Sequence, residues 1–162
     1  MKLVIETATA ACSVALLAPD GTAIGERHEL VGRGHAERLL PMIEELLAGR
    51  RPRAILVDCG PGSFTGVRVG LAAAHGLAIG WQVPLAGYSS LALIAAASGE
   101  AASAVALPGG HGELFVQSYG GDPIGPLDEL ASLDPQAAAR RIGADLVLGA
   151  GAEALVACRG RG

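Results

Sequence analysis

Aromatic side chains are scarce in this 162-residue chain, which has only Phe64, Trp81, Tyr88, Phe115 and Tyr119. That scarcity argues against a reader of single-stranded nucleic acid that stacks bases on rings. Lysine occurs once, at Lys2, and the other basic residues are arginines; the formal charge is −4. Independent nucleic-acid binding draws on many phosphate contacts, so any RNA would have to be reached through a partner's basic surface. Cysteine appears only at Cys12, Cys59 and Cys158, an odd number with no Cys-x-x-Cys spacing, which excludes a disulfide framework or a zinc ribbon and predicts a reducing cytoplasm. His28, His35, His75 and His111 never fall four apart, so no metal site is expected on one helix face. The longest apolar stretch, Val69 to Trp81, contains His75 and is too short to span a bilayer. The opening Met1-Lys2-Leu3-Val4-Ile5-Glu6 breaks its apolar run too early for a signal peptide.

What is present is small apolar side chains: 51% of residues are hydrophobic, mostly Ala, Val, Leu and Ile. The length suits one ordinary domain or two small lobes, and a chain of roughly 150 residues buries about two thirds of its unfolded surface. Leu3 to Ile5 and Cys12 to Leu17 read as strands around a polar turn, and Pro19-Asp20-Gly21-Thr22 predicts a return strand over Ala23 to His28. Leu39, Leu40, Ile43, Leu46 and Leu47 recur at helical spacing with Glu37, Glu44 and Glu45 between them; Pro41 should bend this helix or delay its start. Ala54 to Cys59 reads as a strand buried on both faces, followed by a helix over Val67 to Gly80.

That second helix carries only Arg68 and His75 as polar side chains. A helix apolar around most of its girth is covered on more than one side, here by the rest of the chain or by a partner's helix. Val83 to Gly87 is a short strand, Ser89 or Ser90 caps a helix from Leu91 to Ser98, and Glu100 to Ser103 is a break. Strands over Ala104 to Leu107, Glu113 to Tyr119 and Leu146 to Leu148, and a helix opened by Asp134-Pro135 and running to Ile142, complete the chain, with Arg159 to Gly162 expected to fray. This order predicts an α/β fold of the actin-like, ribonuclease-H-like (ASKHA) kind. Its mixed sheet opens with three antiparallel strands, lobe 1–99 carries the two helices open to a partner, and a reduced second lobe spans 100–162.

The most unusual segment is Gly60-Pro61-Gly62-Ser63-Phe64-Thr65-Gly66, between a strand and a helix, where backbone N–H groups and the helix dipole could meet an anion. It lacks the Lys-Ser/Thr of a Walker loop and misses the dinucleotide fingerprint by one residue, so a tight structural turn is the favoured reading. Ser63 lacks the flanking glycines of a nucleophile elbow, with Pro61 and Thr65 in those places, and Ser89 fails similarly; capping is their expected role. Glu6, at a strand end with Thr7 and Thr9, could hold a metal or phosphate, or simply satisfy the turn. Arg50, Arg51 and Arg53 read as a solvated loop or, less readily, a surface for an acidic partner.

The run from Glu6 to Leu16 (ETATAACSVAL), then His35 to Ile43 (HAERLLPMI), Gly60 to Gly70 (GPGSFTGVRVG) and Ser89-Ser90-Leu91 resembles the TsaB (YeaZ) family in order and spacing. The resemblance covers residues 1 to about 97 well and the remainder loosely. It implies a non-catalytic, actin-like subunit that dimerises with the paralogue TsaD, which transfers a threonylcarbamoyl group to N6 of the adenosine beside the anticodon in tRNA. The ATPase TsaE joins the complex and tRNA is met only through it. This chain would bind no cofactor alone, ATP and a metal ion being used by partner subunits.

The implied partner interface comprises His35, Leu39, Met42, Leu46, Arg68, Leu71, Ala74, His75 and Ala78, and an isolated chain would tend to pair with itself. Glu6, Thr7, Thr9, Gly60, Gly62, Ser63, Thr65 and Gly66 would be a vestigial nucleotide or phosphate loop. Three features depart from the family pattern. Glu6 stands where Asp is usual, Leu107 to Glu113 replaces an Asp-Ala-Arg before Gly-Glu, and the second half is short. The competing readings are an actin-like ATPase or phosphotransferase, which needs a second phosphate loop not found in the sequence, and a peptidase, which rests only on an older glycoprotease label.

Overall fold

The computed structural model describes residues 1–160; Arg161 and Gly162 of the tail lie outside the described residues. The chain forms two compact units, Met1–Tyr88 and Ser89–Gly162. The sequence alone predicts lobes at 1–99 and 100–162. The units divide earlier because the helix over residues 90–98 packs on strands of the second unit, with Leu91 and Ala95 in one buried cluster with Val105, Leu107 and Tyr119.

In the first unit, β1 (Lys2–Glu6), β2 (Ala11–Leu17), β3 (Ala23–Leu30), β4 (Ala54–Asp58) and β5 (Leu85–Tyr88) form one sheet in the order β3-β2-β1-β4-β5. The first three are antiparallel, Glu6 pairing with Ser13 and Ser13 with His28, whereas β4 and β5 run parallel to β1. This is the expected mixed sheet. Two helices, α1 (His35–Leu47) and α2 (Phe64–Trp81), cover one of its faces. Leu3, Ile5, Val14, Leu16, Ile55 and Val57 of the strands meet Leu39, Met42, Ile43 and Leu46 of α1 and Ala74 and Ala78 of α2. At roughly 25 cal/mol per Å² of apolar surface, burial on this scale is what holds the unit together.

Pro41 sits inside α1 without delaying its start, since the helix already begins at His35. The helix C-termini explain two of the clustered arginines. Arg50 donates to the carbonyls of Leu46 and Leu47 at 2.8 and 3.0 Å, and Arg51 donates to that of Trp81, so each satisfies carbonyls that a helix end leaves orphaned.

In the second unit, α3 (Ser90–Ser98) is followed by β6 (Ala102–Pro108), β7 (Leu114–Gly120), β8 (Gly125–Pro126), β9 (Ala131–Leu133), α4 (Pro135–Arg141), β10 (Val147–Leu148) and α5 (Ala152–Arg159). Alternation along β6 explains its two coverings. Val105 and Leu107 face α3, while Ala104 and Ala106 share a cluster with Ala138, Ile142 and Leu155 of the α4–α5 side. Asp134 caps α4, its carboxylate accepting from Gln136 and Ala137 at 3.0 Å. The expectation of a frayed end from Arg159 is corrected. Arg159 closes α5, and its guanidinium donates to the carbonyls of Ile142 and Ala144.

Candidate functional site

The turn between β1 and β2 draws the sequence-marked residues together. Glu6 Oε1 accepts from the amides of Ala8 at 2.7 Å and Thr9 at 3.2 Å, and Thr9 Oγ1 accepts from Ala11 at 3.1 Å. Thr7 is fully buried and its hydroxyl donates to the Gly66 carbonyl at 2.8 Å. The Ser63 amide donates to the Ala8 carbonyl at 2.6 Å. His35, at the start of α1, donates from Nε2 to the carbonyls of Thr9 and Ala11 at 3.0 and 3.1 Å.

The glycine loop is therefore seated on this turn. Gly60 N–H donates to Asp58 at 2.7 Å, and Ser63 caps α2 by accepting from Gly66 at 3.2 Å. Thr65 is exposed beside them. A Cβ at Gly62 would lie 2.2 Å from the Ala8 carbonyl oxygen, and one at Gly66 would lie 2.0 Å from that of Thr7. No side chain fits such gaps, so these glycines are there because two backbones touch. Ser89 likewise caps α3, accepting from Ala92 at 3.4 Å.

On the sheet face away from α1 and α2, register aligns His28, Ser13 and Glu6 across β3, β2 and β1, and Asp58 and Tyr88 across β4 and β5. Ser13 and His28 are hydrogen-bonded at 2.8 Å, and the Tyr88 hydroxyl donates to the Ile5 carbonyl at 3.1 Å. Burial raises the Glu6 carboxyl above its ordinary value, and the Asp58 charge pushes the same way. On the helix side of the sheet, burial pushes the Cys12 thiol up to about 11, so Cys12 is an inert core residue. Among the described residues no three His, Cys, Asp or Glu side chains converge as metal ligands, and no helix is long and apolar enough to cross a membrane.

The raised Glu6 has a measurable consequence. Its native-state pKa lies above the unfolded value, so the native state binds the proton more tightly and Glu6 favours folding at low pH. That contribution is lost as pH rises through the raised native value. Glu6→Gln keeps an acceptor oxygen for Ala8 and Thr9 and removes the titration. Its stability relative to wild type is expected to increase as pH rises from the ordinary glutamate value through the raised native one, as read from urea melts at stepped pH.

The second constellation is the outward side of the helices, and here the structure corrects the sequence assignment. His35, Leu39, Met42 and Leu46 of α1 and Ala74 and Ala78 of α2 are buried within their own unit, so these side chains are not free to meet a partner. Arg68 and His75 are exposed and Leu71 is half-buried. The open apolar residues are others: Phe64 at 70% and Ile79 at 77% exposure on α2, and Leu40 at 50% on α1. The Arg68 guanidinium lies over the Phe64 ring, 3.3 Å from its centroid. Between the helices a groove of about 440 Å³ is lined by Leu40, Ile43, Leu47, Leu77 and Trp81, with Glu44, Arg50 and Arg51 also on its wall. Leu40 had a signal in the sequence, since it is apolar yet one turn from both Glu37 and Glu44 on the wet side.

The family model described as TsaD: tRNA N6-adenosine threonylcarbamoyltransferase matches residues 25–123. The tRNA threonylcarbamoyladenosine biosynthesis protein TsaB of Escherichia coli is 45% identical over 98 residues, covering 57% of this chain and 42% of that protein. TsaB of Haemophilus influenzae is 44% identical over 106 residues, covering 60% of this chain and 43% of its own length. The chain thus spans less than half the length of these curated relatives. Among solved structures, YeaZ from Pseudomonas aeruginosa superposes with a TM-score of 0.79 at 30% identity, over 98% of this chain and 90% of that one. A candidate N-acetylmannosamine kinase from Listeria monocytogenes aligns with a TM-score of 0.51 at 14% identity, over 80% of this chain and 48% of that one, a likeness of fold alone.

Proposed function

The chain belongs to the TsaB (YeaZ) family, and from that premise we propose that it is a non-catalytic scaffold subunit acting in tRNA threonylcarbamoyladenosine biosynthesis. In this reading it dimerises with the TsaD paralogue, which carries out N6-threonylcarbamoylation of the adenosine beside the anticodon. The ATPase TsaE joins the assembly in the cytoplasm, and tRNA is contacted only within it. ATP and a metal ion belong to the partner subunits. The turn at Glu6–Thr9 and the loop at Gly60–Gly66 serve here as packing.

The observation that carries this reading is the outward side of α2. Phe64, Arg68, Leu71, His75 and Ile79 recur every three or four residues along one stripe, with two large apolar side chains, Phe64 and Ile79, largely in solvent and the exposed Arg68 and His75 between them. Large apolar side chains left in solvent along one helix side, next to a groove that Leu71, His75, Ala78 and Ile79 line together with Val83 and Leu85, are the usual mark of an interface.

The test is co-expression with the TsaD of the same organism, followed by size-exclusion chromatography with light scattering of the pair and of each protein alone. A one-to-one complex is expected. Two separate peaks, or full tRNA modification in cells lacking this chain, would remove the scaffold reading and bring the actin-like ATPase forward, to be tested by calorimetry with ATP and magnesium.

A further inference from the structure

We propose that Thr7 is a positioning residue for the partner-facing side of α2, acting through Gly66 and without touching a partner or a nucleotide itself. The proposal rests on the reading above, in which that side of α2 meets a paralogous subunit. Thr7 is fully buried, and its hydroxyl is held 2.8 Å from the carbonyl of Gly66, in the first turn of α2. The same turn of chain holds the residue before α2, through the Ala8 carbonyl and the Ser63 amide at 2.6 Å.

Three glycines four apart face this turn and leave it no slack. An added Cβ would lie 2.2 Å from the Ala8 oxygen at Gly62, 2.0 Å from the Thr7 oxygen at Gly66 and 2.3 Å from Thr7 Oγ1 at Gly70. At about 100° per residue, Phe64, Arg68, His75 and Ile79 lie on the opposite side of α2 from Gly66 and Gly70. Whatever fixes the glycine side against Thr7 therefore fixes the rotation and height of the exposed side. The Gly66 carbonyl is deep in the chain, so losing its hydroxyl donor leaves a buried acceptor less well satisfied and loosens the helix start.

Thr7→Val removes the hydroxyl and keeps the branched shape, and Thr7→Ser keeps the hydroxyl. Thr7→Ala makes the same comparison with valine's extra bulk beside Gly70 removed. The full-length variants are compared by hydrogen–deuterium exchange of the amides of residues 66–71 and by titration with TsaD, wild-type binding being measured first. Thr7→Val, or Thr7→Ala if the valine is not tolerated, is expected to speed exchange in that segment about tenfold and weaken TsaD binding about tenfold, with Thr7→Ser within about twofold of wild type in both. Faster exchange with wild-type affinity would mean that the hydroxyl only stabilises the helix start, and unchanged exchange would mean that it does not hold α2; either overturns the proposal. Failure of the wild-type chain to bind TsaD overturns the functional reading first and this proposal with it, and is told apart because no variant is involved.

Discussion

Under the proposed scaffold role, Ile79→Asp is expected to reduce association with TsaD at least a hundredfold while leaving the chain's own melting temperature within a degree or two of wild type. Ile79 is 77% exposed, so its side chain contributes little to the fold, and surface changes of that kind usually lie within about 0.5 kcal/mol. If a partner covers this side of α2, the same substitution buries a carboxylate, costing several kcal/mol unless a counter-charge is supplied. The split between stability and affinity is the point of the measurement. Leu39→Asp, on the side of α1 turned into the core, should do the reverse and unfold the unit, because Leu39 is only 1% exposed. Light scattering and titration on the folded Ile79→Asp variant decide the matter. Retained wild-type affinity would mean that the interface lies elsewhere on the chain.

The contrast between these two substitutions marks what the sequence could and could not say. The β1–β2–β3 meander was legible because apolar runs are separated by polar or turn-forming residues, including Pro19-Asp20-Gly21-Thr22. α1 was legible from its period. The inward assignment of α1 was available too, since Glu37, Glu44 and Glu45 mark the wet side, but the family resemblance pointed to whole helices and not to faces.

α2 is different. Apolar nearly all round, it gives no phase from hydrophobicity, and its orientation is fixed by glycines touching Thr7, a contact between residues about sixty apart that no local pattern encodes. The short strands Gly125–Pro126 and Ala131–Leu133 fell below the length at which alternation is readable, and α5 buries only Leu155. The roles of Arg50 and Arg51 required knowing where two helices end.

Gly66→Ala is expected to destabilise the first unit by about 3 kcal/mol or more, or to prevent its folding, although alanine is the better helix former. The new methyl would sit 2.0 Å from the Thr7 carbonyl oxygen, and neither side of that contact is a flexible side chain that could swing away. Gly76→Ala, ten residues on in the same helix, meets nothing within 4 Å and should stabilise by about 0.5–1 kcal/mol, the ordinary gain from replacing a mid-helix glycine. Urea unfolding of both variants without any ligand tests the pair. The outcome also separates two accounts of the glycine loop. If its glycines existed to admit a phosphate, Gly66→Ala would weaken ligand binding and leave the unliganded chain as stable as before. If they exist so that α2 can lie against the β1–β2 turn, the loss appears with no ligand present, and it is the second result that the contact geometry requires.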